Sequence, residues 1–321
     1  MEGIEDLIDA CVEPGIVGTI LAEATWKNTY WSEWVSTKGG EFQLDSHMTS
    51  CIAGFLQAIP QERSIELLQA VVSTANQHNW NALKLARFLV LARPEQQTWE
   101  LAKDCGSEVF SSYWQTVQFY LWWDDEDANY VMEQLLEAQR PVSALNCCRH
   151  SLNEVSPKLV FHALQQVLNG QEGGQRLESW HVVKYLEYLE QSDEIDKMAL
   201  VHLEFGLFPL LRYGREAKAK ALYTGITSEP SLFTELICLL FKPEHGELSE
   251  PMDENGRALA ERSWDILNSC KRLPGTQPDE TIDEKEFIRF IKETRKLCEK
   301  ADRLTMCDQT LGQILAYSPK A

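Results

Sequence analysis

Ser156-Pro157-Lys158-Leu159-Val160-Phe161-His162-Ala163-Leu164-Gln165-Gln166-Val167-Leu168-Asn169-Gly170 reads as one helix with both ends written into it. A serine ahead of the first turn can accept a hydrogen bond from an amide that the turn leaves unpaired. Proline at the first helical position loses nothing, because its missing N–H would have had no partner there. Val160, Ala163, Leu164, Val167 and Leu168 then recur at helical spacing on one face. Gly170-Gln171-Glu172-Gly173-Gly174 is a loop composition and closes the helix. A single amphipathic helix cannot bury its stripe alone, so this stretch calls for further helices beside it.

Those further helices are legible on both sides. Helical periodicity recurs over about 61–75, 79–91, 96–106, 109–122, 127–138, 141–151, 179–191, 194–213, 215–225, 230–241, 257–271 and 304–316. The links are short and hold breakers, as at Arg93-Pro94, Arg140-Pro141, Gly214 and Lys242-Pro243. Short links between helices of this length favour antiparallel hairpins, and hairpins in series build a solenoid. The expected fold is therefore all-α, with helical hairpins stacked into a solenoid-like superhelix of the TPR or HEAT kind, right-handed or irregular. Small-residue helix starts at Asn81–Ala86, Ser143–Cys148 and Ala217–Leu222 echo one another at unequal separations, so no fixed repeat length is present.

Near the C-terminus, Thr281-Ile282-Asp283-Glu284 has capping-box spacing and predicts a helix whose stripe is Phe287, Ile288, Ile291 and Cys298. Only Ile16–Leu21 reads as a possible short strand. Four regions follow: 1–45 as a cap or irregular segment, 46–243 as the hairpin array, 244–256 as an acidic linker, and 257–321 as a C-terminal helical group.

The net charge of −19 is spread along the chain, with acidic residues outnumbering basic ones 15 to 7 in residues 1–120, 18 to 10 in 121–240 and 16 to 13 in 241–321. An acidic surface repels phosphate backbones and anionic lipid heads, which disfavours general nucleic-acid or membrane binding. No apolar run approaches the ~18 residues of a membrane span. Nine cysteines, an odd number set mostly within apolar helical patterns, suit free packed thiols in a reducing compartment, so a cytoplasmic protein is expected.

Catalytic and metal chemistry find little support. Cys147, Cys148, His150 and His162 are close in sequence, but adjacent cysteines on a helix diverge by about 100° and no C-x-x-C pair exists. Asp253-Glu254-Asn255-Gly256 fails as a calcium loop, because Pro251 and Arg262 fall where an acid and a bidentate Glu are needed. Trp122-Trp123-Asp124-Asp125-Glu126-Asp127 places its acids ahead of a helix, where the dipole favours them. No Walker loop, G-x-S-x-G elbow or H-E-x-x-H helix occurs, so no catalytic residue, metal or cofactor is assigned.

Two features could serve a partner. Trp26, Tyr30 and Trp34, with Trp31 beside them, stand at i, i+4 and i+8 and would align rings on one helix face. Arg212, Arg215, Lys218 and Lys220 form a concentrated basic cluster around Gly214, able to meet a carboxylate or phosphate.

Leu203-Glu204-Phe205-Gly206-Leu207-Phe208-Pro209-Leu210-Leu211, Gly214-Arg215-Glu216 and Pro230-Ser231-Leu232-Phe233 resemble the helical region of large, uncharacterised bacterial proteins. Trp264-Asp265-Ile266-Leu267, Leu273-Pro274-Gly275-Thr276 and Asp308-Gln309-Thr310-Leu311-Gly312 extend the resemblance over residues 110–317. It implies a helical module within a longer polypeptide, similar to the sensor region of defence-type ATPases, and carries no catalytic residue. The expected function is a non-enzymatic helical-repeat module that binds a protein partner, with no oligomeric state indicated. The alternatives are an enzyme or metal protein whose site is assembled from distant helices, and local nucleic-acid contact through residues 212–220.

Overall fold

The computed structural model describes residues 8, 11–25, 47–118, 128–170, 172, 177–211, 218–245, 254–270, 272–277 and 280–317. The protein is all-helical, with sixteen α-helices, 76% helix and no strand among the described residues. One isolated antiparallel bridge joins Thr276 to Ile282. The chain divides into two compact units, residues 1–154 and 155–321.

The first unit holds α1 (Pro14–Thr25), α2 (His47–Ala58), α3 (Gln61–Gln77), α4 (Ala82–Leu89), α5 (Gln96–Asp104), α6 (Ser107–Thr116), α7 (Ala128–Glu137) and α8 (Pro141–Cys147). Ile16–Leu21, read as a possible short strand, lies inside α1 instead. Close packing overrides local preference here. A Cβ on Gly18 would stand 1.9 Å from the Cys51 carbonyl oxygen, and one on Gly54 would stand 2.0 Å from that of Gly15. Only glycine lets the two backbones approach this closely.

The core of this unit is aromatic. Trp99 of α5 meets Trp114 of α6 at 5.7 Å between ring centroids and Tyr130 of α7 at 5.3 Å, while Trp114 and Tyr130 are 5.9 Å apart. Sequence periodicity extends α6 to about residue 122, but it stops at Thr116, where Val117 turns to extended backbone. Arg140 satisfies the freed carbonyls, donating to Trp114 O at 2.9 Å and Val117 O at 2.6 Å. A buried helix end needs such donors, and a distant arginine provides them.

The second unit holds α9 (Pro157–Asn169), α10 (Ser179–Glu190), α11 (Lys197–Leu207), a 3₁₀ turn (Phe208–Leu210), α12 (Lys220–Ser228), α13 (Pro230–Leu240), α14 (Glu254–Ser269), α15 (Glu284–Lys300) and α16 (Leu304–Tyr317). In α9 the proline starts the helix as its sequence predicts, although the Ser156 side chain makes no capping bond. Val160, Ala163 and Leu164 are buried, whereas Leu168 is 41% exposed. α13 packs against both α14 and α15. Phe233 of α13 meets Phe290 of α15 edge-on at 5.9 Å, so helices from within 257–321 share a core with α13.

The start of α15 differs from the capping-box expectation. Asp283, not Thr281, is the N-cap, accepting from the amides of Lys285 at 2.9 Å and Glu286 at 3.2 Å. The buried side is consequently Phe290, Thr294 and Cys298, and Ile288 is 49% exposed. Isoleucine at 288 matches the period of an apolar face, but the face that meets α13 is centred on Phe290.

Candidate functional site

Glu204 on α11 is the most unusual polar side chain of the second unit: it is fully buried. Its Oε2 accepts from the Leu222 amide at 2.6 Å, while its Oε1 has no hydrogen-bond partner among the described residues. Ala219, at the N-cap of α12, has no side chain able to cap, so a carboxyl reaches across from α11 to do it. Sequence periodicity begins this helix at 215; it begins at Lys220, where Glu204 meets it. Burial pushes the Glu204 carboxyl up to about 8, the Leu222 amide works against that rise, and the neighbouring Glu190 carboxylate adds to it. At neutral pH the side chain is mostly the neutral acid.

The same helix start carries two ion pairs to α10. Lys218 Nζ lies 3.0 Å from Glu187 Oε1, and Lys220 Nζ lies 3.4 Å from Glu190 Oε2. Of the four residues in the basic cluster, Lys218 and Lys220 are therefore each beside a carboxylate, and Arg212 and Arg215 lie outside the described residues. Trp26, Tyr30, Trp31 and Trp34 also lie outside them, as does the 122–127 segment.

The sequence neighbours weighed as metal ligands have other partners. Cys147 and Cys148 are buried, and their thiols donate to Ala144 O at 2.9 Å and Leu145 O at 3.3 Å. His150 lies beside Arg149, and His162 beside Gln166, both at the surface.

The second unit has a hollow of about 260 Å³ between α14 and α16 and two more besides. The larger, about 370 Å³, runs between α9 and α11 and is lined by His162, Gln165, Leu168, Ala199, His202 and Leu203. Leu168 lies across Gly206 of α11, where an added Cβ would come within 2.5 Å of its Cδ1. A glycine within a helix, opposite an apolar residue at the end of another, lets α9 and α11 meet at one end. Sequence reasoning assigned Leu168 to the core and so missed this exposed edge.

The smaller hollow, about 120 Å³, lies between the end of α12, the 272–277 turn and the start of α15. Its two guanidinium groups are engaged: Arg272 donates to Thr276 O at 2.7 Å, and Arg289 pairs with Glu286 at 2.7 Å and Glu293 at 3.0 Å. An anion would have to displace those partners. Among the described residues, no cluster of three or more His, Cys, Asp or Glu is placed to hold a metal, and no helix is long and apolar enough to cross a membrane. No protein-family model, no curated protein and no solved structure matches the chain.

Proposed function

We propose that the chain is a protein-interaction module of stacked helical hairpins that receives an amphipathic helix of a protein partner along the α9–α11 groove. The observation that supports this is the groove's make-up: two helices flank it, Leu168, Ala199 and Leu203 give it an apolar floor, and His162, Gln165 and His202 give it a polar rim. Helix-in-groove recognition uses this pairing of apolar anchors with a polar border. The net charge of −19 favours a partner helix with a basic outer face, because complementary charge speeds encounter and suppresses wrong partners.

Photo-crosslinking residues placed at Gln165 and His202 of the full chain test this in cells. Crosslinked peptides should be helical, apolar on one face and rich in Lys or Arg. The double variant Ala199→Arg with His202→Glu should lower capture of the same partner at least tenfold, roughly the 1.4 kcal/mol of one lost anchor. Changing Arg212, Arg215, Lys218 and Lys220 together to Ala should leave capture intact. The reverse pattern, with the groove variant binding normally and the quadruple variant failing, would move the docking surface to the basic cluster.

A further inference from the structure

α15 turns one face to α13 and the opposite face to solvent. Phe290, Thr294 and Cys298 are buried at four-residue spacing. Lys292, Lys296 and Lys300 each stand two residues further on, about 200° round the helix, and all three are exposed. Lys285 and Ile288 carry the same line back toward the Asp283 cap; Lys285 is exposed, and Ile288 is 49% exposed. From Lys285 to Lys300 the line is about 23 Å long.

The carboxylates of this helix do not neutralise the line. Glu286 and Glu293 both go to Arg289, and Arg295 takes Asp308 of α16. Glu299 borders the line without pairing to it. None of the four lysine ammonium groups has an ion pair among the described residues. Lysines four apart on one helix face repel each other, and Lys292–Lys296 and Lys296–Lys300 both have that spacing. Lys218 and Lys220, by contrast, each lie beside a carboxylate. On a chain with 49 acidic and 30 basic residues, four ammonium groups held together and unpaired are open to carboxylates from elsewhere.

We propose that the solvent face of α15 docks an acidic helix of a protein partner, whose carboxylates pair with Lys285, Lys292, Lys296 and Lys300 and whose apolar side chain covers Ile288. Glutamates four apart on a partner helix repeat about every 6 Å, the rise that separates lysines four apart on α15. The strip is one helix wide and the chain around it is acidic overall. An extended polyanion such as a nucleic acid or an anionic membrane would meet repulsion beyond α15, whereas one acidic helix would not. This surface goes beyond the α9–α11 groove: other residues build it, and it selects a partner of the opposite charge.

Carbodiimide crosslinking of the full chain, at low salt, to a synthetic peptide of about sixteen residues tests this. The peptide carries glutamate at every third or fourth position and leucine between, and the reagent joins a carboxylate to a lysine only where the two touch. Tryptic mapping should place the links on Lys285, Lys292, Lys296 and Lys300, with few on Lys218 and Lys220. Fluorescence anisotropy of the labelled peptide should show binding that weakens at least tenfold when Lys285→Gln, Lys292→Gln, Lys296→Gln and Lys300→Gln are combined. The melting temperature of that variant should hold or rise, because like charges have been removed. Lys218→Gln with Lys220→Gln should leave peptide binding unchanged. Absence of binding by the wild-type chain, links spread over lysines throughout the chain, or equal binding by the quadruple variant would each overturn the proposal. Tighter binding of a single-stranded oligonucleotide of equal charge, or of phosphatidylserine vesicles, would also overturn it and reassign the face to that polyanion.

Discussion

Glu204 ties the stability of the second unit to pH. In the folded chain its carboxyl holds a proton until about pH 8, against an ordinary value of 4.5 once unfolded. Between those values the folded state binds more protons than the unfolded state, so stability falls as pH rises. The contribution is complete below the ordinary value and is lost as pH passes through about 8. The melting temperature should therefore drop between about pH 5 and pH 8 and level off above, and Glu204→Gln should flatten that drop, because its amide oxygen still accepts from Leu222 without gaining charge. An unchanged slope in the variant would place the titration elsewhere. Gly18 tests packing at the same scale: Gly18→Ala sets a Cβ 1.9 Å from a carbonyl oxygen that cannot yield without moving α2. Denaturant unfolding should report a loss of about 1–3 kcal/mol or more, the usual cost of overpacking.

α15 depends on its cap. Asp283 satisfies two first-turn amides, so Asp283→Ala should cost about 1 kcal/mol in urea unfolding, with Asp283→Asn recovering most of it. α5, α6 and α7 depend on a shared aromatic contact instead. Trp114 is 2% exposed and touches both Trp99 and Tyr130, so Trp114→Ala should cost about 3–5 kcal/mol. A cost below about 1 kcal/mol would mean that the three helices close over the gap.

Each of the two units buries its own apolar residues, so residues 1–154 and 155–321 expressed separately should each give a helical circular dichroism spectrum and a cooperative melt. A fragment of residues 46–243, cut at the boundaries suggested by hydropathy, should behave differently. It keeps α13 but lacks α14 and α15, leaving Phe233 and Leu236, each 1% exposed in the intact chain, uncovered. Loss of cooperativity and aggregation are expected of that fragment. A sharp melt would show that α13 needs no cover from α15.

Residues 156–170 held the local decisions for α9: where it begins, where it ends, and that Val160, Ala163 and Leu164 face inward. Caps, breakers and 3.6-residue spacing act over one or two turns, so they can be read from sequence alone, and the all-helical class followed from their repetition. The tertiary structure decided whatever depends on a partner distant in sequence. Arg140 ends α6 from 23 residues away, Glu204 starts α12 from another helix, and glycine contacts with α2 hold Ile16–Leu21 in a helix. The α9–α11 groove belongs to the same category. Periodicity marks the face of a helix that is apolar, but which part of that face is covered depends on the neighbouring helix, and one sequence read locally does not specify that neighbour.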